Sequence, residues 1–521
     1  MVCKYGGRMN KGTDFFAFLF VCLFVRSGVP LHLPGRMEDR EESEPTIRND
    51  KLTRPLIISL VGSSLAYLHY GYMFNLITHP VVLRMQMLNL QKKGIEENPV
   101  YLKFLLLLIS FFPLGGVCGV YLWGCLADRY GRKSAILISN GISIFSSAIL
   151  CFDRIFRRFE FSLFVHFFVG IGTGTFSYSV SLYILEISSL NLRGALVTTL
   201  LLFLSWGSLL VQTLISPQIW GNEENFSLLV GVIAIFAIIS SILLVPSPES
   251  PRFLYLQRND EEKARQVLKK LRGEEDVEEE MEELCQEHLA ESSQKNMTVW
   301  KLLRFRSLRW HVITVVVLLT GSRFMQTNAI LIFAQQSYKT LGMSAKSIRL
   351  LPLAGNVIVQ LMLLTTICIV ESLGRRFLLL SGFLMCSISN IALVFTFQVN
   401  SPSLAFISIV LIIFFFVGYV MGPASIIPVI IGELFLQSSR ASAYVIVGFF
   451  GWGINFLSAL LFLLTKSYLE SYYLLLYWPF MILVFIYIFW VVPETCGNTF
   501  QEIQESMAAC TSRNARKITA E

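Results

Sequence analysis

The sequence predicts an all-α membrane protein of twelve transmembrane helices, arranged as two six-helix halves. Three observations carry that prediction: the composition, the number of long apolar runs, and an internal repeat. Of the 521 residues, 54% are hydrophobic and only 15% are charged, and mean hydropathy is +0.60. A soluble domain carries about 25% charged residues, so soluble globular, disordered and fibrous classes are excluded. The 42 phenylalanines suit helices that face lipid.

The formal net charge is +7. Its basic residues do not form one patch; they sit in short clusters between apolar runs, as positive-inside topology requires. Nucleic-acid binding is excluded on that pattern. The ten cysteines show no Cys-x-x-Cys pair and no His/Cys ligand spacing, so no metal and no other cofactor is implied. Cys118, Cys151, Cys368 and Cys386 lie in apolar runs and read as core residues.

An apolar run needs about 20 residues to cross a bilayer. Runs of that kind lie at 55–77, 104–126, 134–152, 161–183, 195–219, 226–246, 311–334, 350–370, 377–398, 403–431, 441–464 and 471–492. Residues 51–246 thus form an N-terminal six-helix bundle and 311–492 a C-terminal one. Residues 1–50 are a cytoplasmic extension and 493–521 a cytoplasmic tail. The polar stretch 247–310 is a cytoplasmic loop with short surface helices, for instance Glu261–Leu271. Its acidic run from Glu274 to Glu280 reads as a solvated face.

The halves repeat. Asp128-Arg129-Tyr130-Gly131-Arg132-Lys133 after span two is matched by Glu371-Ser372-Leu373-Gly374-Arg375-Arg376 after span eight. Glu186 and Arg193 bracket the turn between spans four and five, as Glu433 and Arg440 bracket that between ten and eleven. Pro248-Glu249-Ser250 follows span six and Pro493-Glu494-Thr495 follows span twelve. The three anchors agree on an offset of about 245 residues. If every run crosses, all anchors share one side with the long basic loop, so that side and both termini are cytoplasmic. Arg154, Arg157 and Arg158 fall on the other side, but the summed loop charge keeps this orientation.

The first 36 residues hold an eleven-residue apolar run, Phe15–Val25, behind Lys4, Arg8 and Lys11. That order resembles a signal peptide, yet the run is too short to span. Met37 then opens an acidic stretch, so residues 1–36 read as a non-essential extension.

Several motifs carry a family resemblance. Gly124-Cys125-Leu126-Ala127-Asp128-Arg129-Tyr130-Gly131-Arg132-Lys133 resembles the loop signature of the major facilitator superfamily. Pro248-Glu249-Ser250-Pro251-Arg252, Pro493-Glu494-Thr495 and Tyr70-Gly71-Tyr72 resemble signatures of its sugar-porter branch. Glu433–Arg440 and Leu303–Trp310 are similar to the fructose- and urate-transporter subgroup of the facilitative hexose transporters. The resemblance implies the major facilitator fold, with substrate bound between the halves and access alternating as one half rocks on the other. It also implies a hexose substrate, fructose ahead of glucose, and a monomeric transport unit surrounded by membrane lipid in the plasma membrane. No Asp or Glu lies inside a span, which favours uniport over proton symport. No Gly-x4-Gly-Lys-Ser/Thr loop and no nucleophile–base–acid set appears, so neither a primary pump nor an enzyme is indicated.

Asp128, Arg132, Glu186, Arg193, Glu371, Arg375, Glu433 and Arg440 stand at helix ends on the cytoplasmic side. Ion pairs across the halves could hold that side shut and would break as it opens, which is the gate the resemblance implies. A substrate site for sugar needs neutral polar groups beside aromatic faces. Gln212, Asn328, Trp452 and Asn455 match family residues of that kind.

The span-seven motif departs from the family. Its Gln-Gln pair is replaced by Ser322-Arg323, and the following small pair by Met325-Gln326. The asparagine of span eight falls at Val359, next to Gln360; the histidine before Trp452 is Gly451. The glutamine before Tyr-Gly-Tyr is His69, and the arginine early in span four is His166. Arg323 leaves three readings open: a cation for an anionic or electron-rich substrate such as urate or another organic anion, drift in a paralogue that no longer transports, or a direct donor to sugar hydroxyls. A charge inside a bilayer costs about 2.5–3.5 kcal/mol on the insertion scale, so Arg323 should face the water-filled path.

Overall fold

Hydrocarbon offers backbone groups no water, so an apolar run of crossing length must satisfy its N–H and C=O groups by becoming a helix. The computed structural model describes residues 52–79, 99–156, 159–189, 192–216, 219–292, 299–304, 308–325, 327–399, 401–435, 437–469 and 472–496, with 503 and 507. The N-terminal extension, including Phe15–Val25, lies outside the described residues.

The first half consists of α1 (Arg54–Thr78), α2 (Pro99–Tyr130), α3 (Arg132–Phe156), α4 (Phe159–Ile187), α5 (Arg193–Leu214) and α6 (Phe226–Leu244). Three loop helices follow: α7 (Glu261–Arg272), α8 (Glu278–Ser292) and α9 (Val299–Arg304). The second half begins with α10 (Arg309–Arg323) and α11 (Thr327–Thr340), then α12 (Ala345–Leu373) and α13 (Arg375–Gln398). It ends with α14 (Pro402–Tyr419), α15 (Ser425–Leu434), α16 (Gln437–Leu469) and α17 (Tyr473–Val491). Among the described residues there is no strand, and eleven helical stretches are long and apolar enough to cross a membrane.

The remaining crossing, number seven, is predicted as one run but is broken. Helix α10 ends at Arg323 and α11 starts at Thr327. Broken helices are tolerated at membrane depth where the freed backbone lines a cavity, and Ser322, Arg323 and Thr327 do so. Crossing ten keeps its length through a π-helical turn at Val420–Ala424, where Pro423 supplies no N–H.

Two of the three repeated motifs share one structural explanation. Gly131 and Gly374 turn the chain with φ of 98° and 79°, a region open to glycine at little cost. A Cβ on either would lie 2.5 or 2.6 Å from the carboxylate of Glu249 or Glu494. Those carboxylates cap the next helix. Glu249 accepts from the backbone N of Arg132 and Lys133 at 2.9 and 3.0 Å. Glu494 accepts from Arg375 and Arg376 at 2.8 and 3.1 Å. The basic residue after each Gly-Arg pair reaches the end of a neighbouring helix: Lys133 Nζ donates to Val245 O at 2.8 Å, and Arg376 Nη2 to Phe489 O at 2.6 Å. Anions suit helix N-termini and cations C-termini; each half uses both rules to tie its last crossing to its third.

The loop helices dock on the same end as these motifs. Leu268, Val277, Met281 and Leu284 form a small core with Tyr255 against it. Arg272 holds Glu280 through two bonds of 2.7 and 2.9 Å and donates to Ile187 O at 3.0 Å. Thr53 Oγ1 donates to Leu271 O at 2.6 Å, so the start of α1 sits at this end too. Between the halves, α2 packs on α16 and α5 on α12.

Candidate functional site

A cavity of about 430 Å³ lies between the halves. Helix α1 contributes Tyr67, Tyr70, Phe74 and Asn75 to its wall, and α4 contributes Ser177 and Tyr178. From the second half come Ser322, Arg323, Thr327, Asn356, Tyr419, Trp452 and Asn455. Of the predicted site residues, the structure therefore brings Ser322, Arg323, Trp452 and Asn455 together. Gln212 is not on the wall; it stands behind Asn356, whose Nδ2 donates to Gln212 Oε1 at 2.7 Å. The side chain of Asn328 lies outside the described residues.

Arg323 is the one charged side chain among the described residues of the wall. It hydrogen-bonds Tyr178 and has Tyr419 and Tyr70 within electrostatic reach. Trp452 is 4% exposed and closes the floor. Its ring packs on Phe74 and Phe112 at centroid distances of 6.1 and 5.5 Å, and its Nε1 donates to Ser177 Oγ at 3.1 Å. That bond joins α16 of the second half to α4 of the first. Below it, successive turns of α2 meet α16. A Cβ on Gly448 would sit 2.4 Å from Val120, and one on Gly124 would sit 2.5 Å from Val445. The motif end is closed by this packing.

The predicted gate charges lie beyond that seal. Arg132 Nε reaches both carboxylate oxygens of Glu186, at 3.1 and 3.2 Å, and neither side chain is exposed. Arg375 Nη2 is 3.2 Å from Glu433. These two pairs each lie inside one half, although the expected pairs cross between halves. The charged sets do meet at Tyr444, which has Arg440 of its own half and Glu186 of the other within electrostatic reach. Arg440 Nε donates to Phe435 O at 3.1 Å. Arg193 opens α5, and Asp128 is exposed at the end of α2 with Arg132 and Glu186 nearby. The side chain of Glu371 lies outside the described residues. Outside the crossings, burial pushes the Glu249 carboxyl above its ordinary range, and the N–H groups of Lys133 and Ser250 pull it back.

A family model described as "Sugar (and other) transporter" matches residues 56–507. The chain belongs to that sugar transporter family. It is 35% identical over 476 residues to the mouse "Solute carrier family 2, facilitated glucose transporter member 5", covering 90% of this chain and 94% of the relative. Human member 7 is 31% identical over 497 residues, covering 93% and 96%. The structure of the proton:xylose symporter XylE bound to 6-bromo-6-deoxy-D-glucose superposes with a TM-score of 0.76 at 21% identity, covering 87% of this chain and 98% of that one. This likeness establishes the major facilitator fold.

Within this sugar transporter, the departures from the family motif acquire positions. His69 and His166 are buried off the cavity wall: His69 Nε2 lies 3.0 Å from Ser143 Oγ, and His166 Nδ1 lies 2.9 Å from Ser162 O. The room left at Gly451 is taken by Leu319 and by the Tyr178 hydroxyl, 3.1 and 3.4 Å from where a Cβ would stand. The amide missing at Val359 reappears one helical turn earlier as Asn356. Sequence reasoning passed over Asn75, Tyr178, Asn356 and Tyr419. Asn75 and Asn356 each left a usable signal, an amide in an apolar run, and Asn356 also lies three positions before Val359 on the same helical face.

Proposed function

We propose that the protein is a facilitative transporter of hexose sugars, fructose preferred over glucose, working by alternating access. One observation carries the reading: in a member of the sugar transporter family, a cavity between the halves combines hydroxyl and amide groups with the faces of Trp452, Phe74 and the tyrosines. Hexoses need both, since their hydroxyls seek polar partners and their C–H faces stack on rings. The preference for fructose rests on Glu433–Arg440 and Leu303–Trp310, which are similar to the fructose- and urate-transporter subgroup. Uniport is supported by the wall, which holds no Asp or Glu among its described residues. Substrate enters from the end opposite the motifs, because the motif end is sealed by Val120 and Val445. Loop charge assigns that sealed end to the cytoplasm, and the plasma membrane is the site of action. Gln212, Ser322, Arg323, Asn328, Trp452 and Asn455 form or support the substrate site.

Purified protein in liposomes should accumulate labelled fructose to equilibrium without a proton gradient, and glucose more slowly. Uptake no faster than in protein-free liposomes would overturn the reading in favour of a non-transporting paralogue.

A further inference from the structure

The cavity wall contains one element that a neutral hexose does not require. Arg323 carries a fixed positive charge and five N–H donors, and its named neighbours Tyr178, Tyr419 and Tyr70 are neutral phenols. Tyr178 hydrogen-bonds its guanidinium, and Tyr419 and Tyr70 lie within electrostatic reach. Beside it, Thr327 on the wall opens α11, so the N-terminal end of a fourteen-residue helix faces the same space. Half-helix N-termini in broken crossings favour anionic substrate groups.

The rest of the wall narrows the kind of anion. Asn75 Nδ2 donates to Gly71 O at 2.9 Å and to Ser208 Oγ at 2.6 Å. Asn356 Nδ2 donates to Gln212 Oε1 at 2.7 Å and Pro352 O at 3.2 Å. The acceptor-only carbonyls of Gly71 and Pro352 fix which end of each amide is which. Each asparagine therefore turns an acceptor oxygen to other partners, and acceptors suit the hydroxyl hydrogens of a polyol. A flat anion with few hydroxyls would leave such acceptors unsatisfied, which costs about 1–3 kcal/mol per buried group.

We propose that the cavity binds and carries sugar acids, meaning hexuronates or aldonates, with the carboxylate on Arg323 and the hydroxyls on Asn75, Asn356 and Asn455. This rests on the reading of the protein as a sugar carrier and names a substrate class for the same site. The carboxylate can accept two parallel bonds from the guanidinium fork. Carriage of a monoanion by uniport moves one negative charge per cycle, so it responds to membrane potential where fructose does not.

The test compares D-glucuronate with D-glucuronamide, which differ only in the charge of one group. Both are offered to purified protein in liposomes as competitors of labelled fructose, and separately as ligands in thermal unfolding. Glucuronate is expected to compete at about tenfold to a hundredfold lower concentration than the amide, the range of a charge-assisted hydrogen bond. Labelled glucuronate uptake should rise under an inside-positive potential. Arg323→Gln should collapse the glucuronate-to-glucuronamide ratio toward unity, and Arg323→Lys should retain part of it. Equal potency of acid and amide in the unmodified protein overturns the inference even if fructose is carried. That equality is also what a purely structural Arg323, complementing only the α10 C-terminus, would produce. Glucuronate stabilisation without uptake of any sugar would overturn the transport reading and keep the anion site.

Discussion

Asn356 and Gln212 show how a site can be shifted by one turn and still present an amide. Removing Asn356 deletes a wall group and leaves Gln212 Oε1 without its 2.7 Å donor. A hydrogen bond of that kind contributes about 0.5–1.5 kcal/mol. Asn356→Ala should therefore raise the half-saturating fructose concentration about threefold to tenfold, read from initial uptake at graded substrate. Gln212→Ala should raise it less, because its effect passes through Asn356; a larger shift for Gln212 would place that residue in direct contact with substrate. The arginines of the Gly-Arg motifs belong to a different class. Arg132 and Arg375 are each 1% exposed, and removing one partner of a buried pair costs about 3–5 kcal/mol. Arg132→Ala should lower folded yield and melting temperature, and removing Glu186 as well should recover part of both. Asp128 is exposed, so Asp128→Asn should keep normal yield and change only the transport rate. Detergent-solubilised protein followed by size exclusion and thermal unfolding separates the two behaviours.

At the level of helices, the break between α10 and α11 separates groups that line the cavity from those that pack away from it. Phe324 fits against Tyr477 and Phe480 at 5.0 and 5.2 Å, while Met325 is fully buried. Replacing both by alanine, the strongest helix former, should favour a continuous helix. The maximal rate should then fall more than the half-saturating concentration changes; an unchanged rate would show that the break is passive. The crossings were legible because hydropathy reports membrane burial residue by residue. The break was not, because Phe324 and Met325 are as apolar as the helix around them. Likewise, the Pro-Glu motifs were visible as a repeat, but their role as caps for α3 and α13 depends on contacts more than a hundred residues apart. Trp452 and Asn455 were reached by resemblance. Tyr178 and Tyr419 were missed, since a tyrosine in an apolar run gives no sign of whether it faces lipid, core or cavity.

Across the whole molecule, the sealed end depends on two reciprocal contacts in which a valine of one half lies over a glycine of the other. Gly448→Leu would drive side-chain atoms into Val120. It should shift the balance toward opening at the motif end. With Val120→Cys as reporter, a membrane-impermeant thiol reagent supplied from that side should label the Gly448→Leu background and spare the parent; equal labelling would show that this packing does not set the balance. The caps and buried pairs described above have a further consequence for chain connectivity. Glu249, Glu494, the Arg132–Glu186 pair and the Arg375–Glu433 pair all close within their own half. Helix α7 is bound to α1 and α4, whereas α9 packs on α16. Covalent continuity between α8 and α9 then carries little of the architecture. Two polypeptides, one ending after α8 and the other beginning before α9, should find each other in the bilayer and reconstitute fructose uptake when produced together, while neither does so alone.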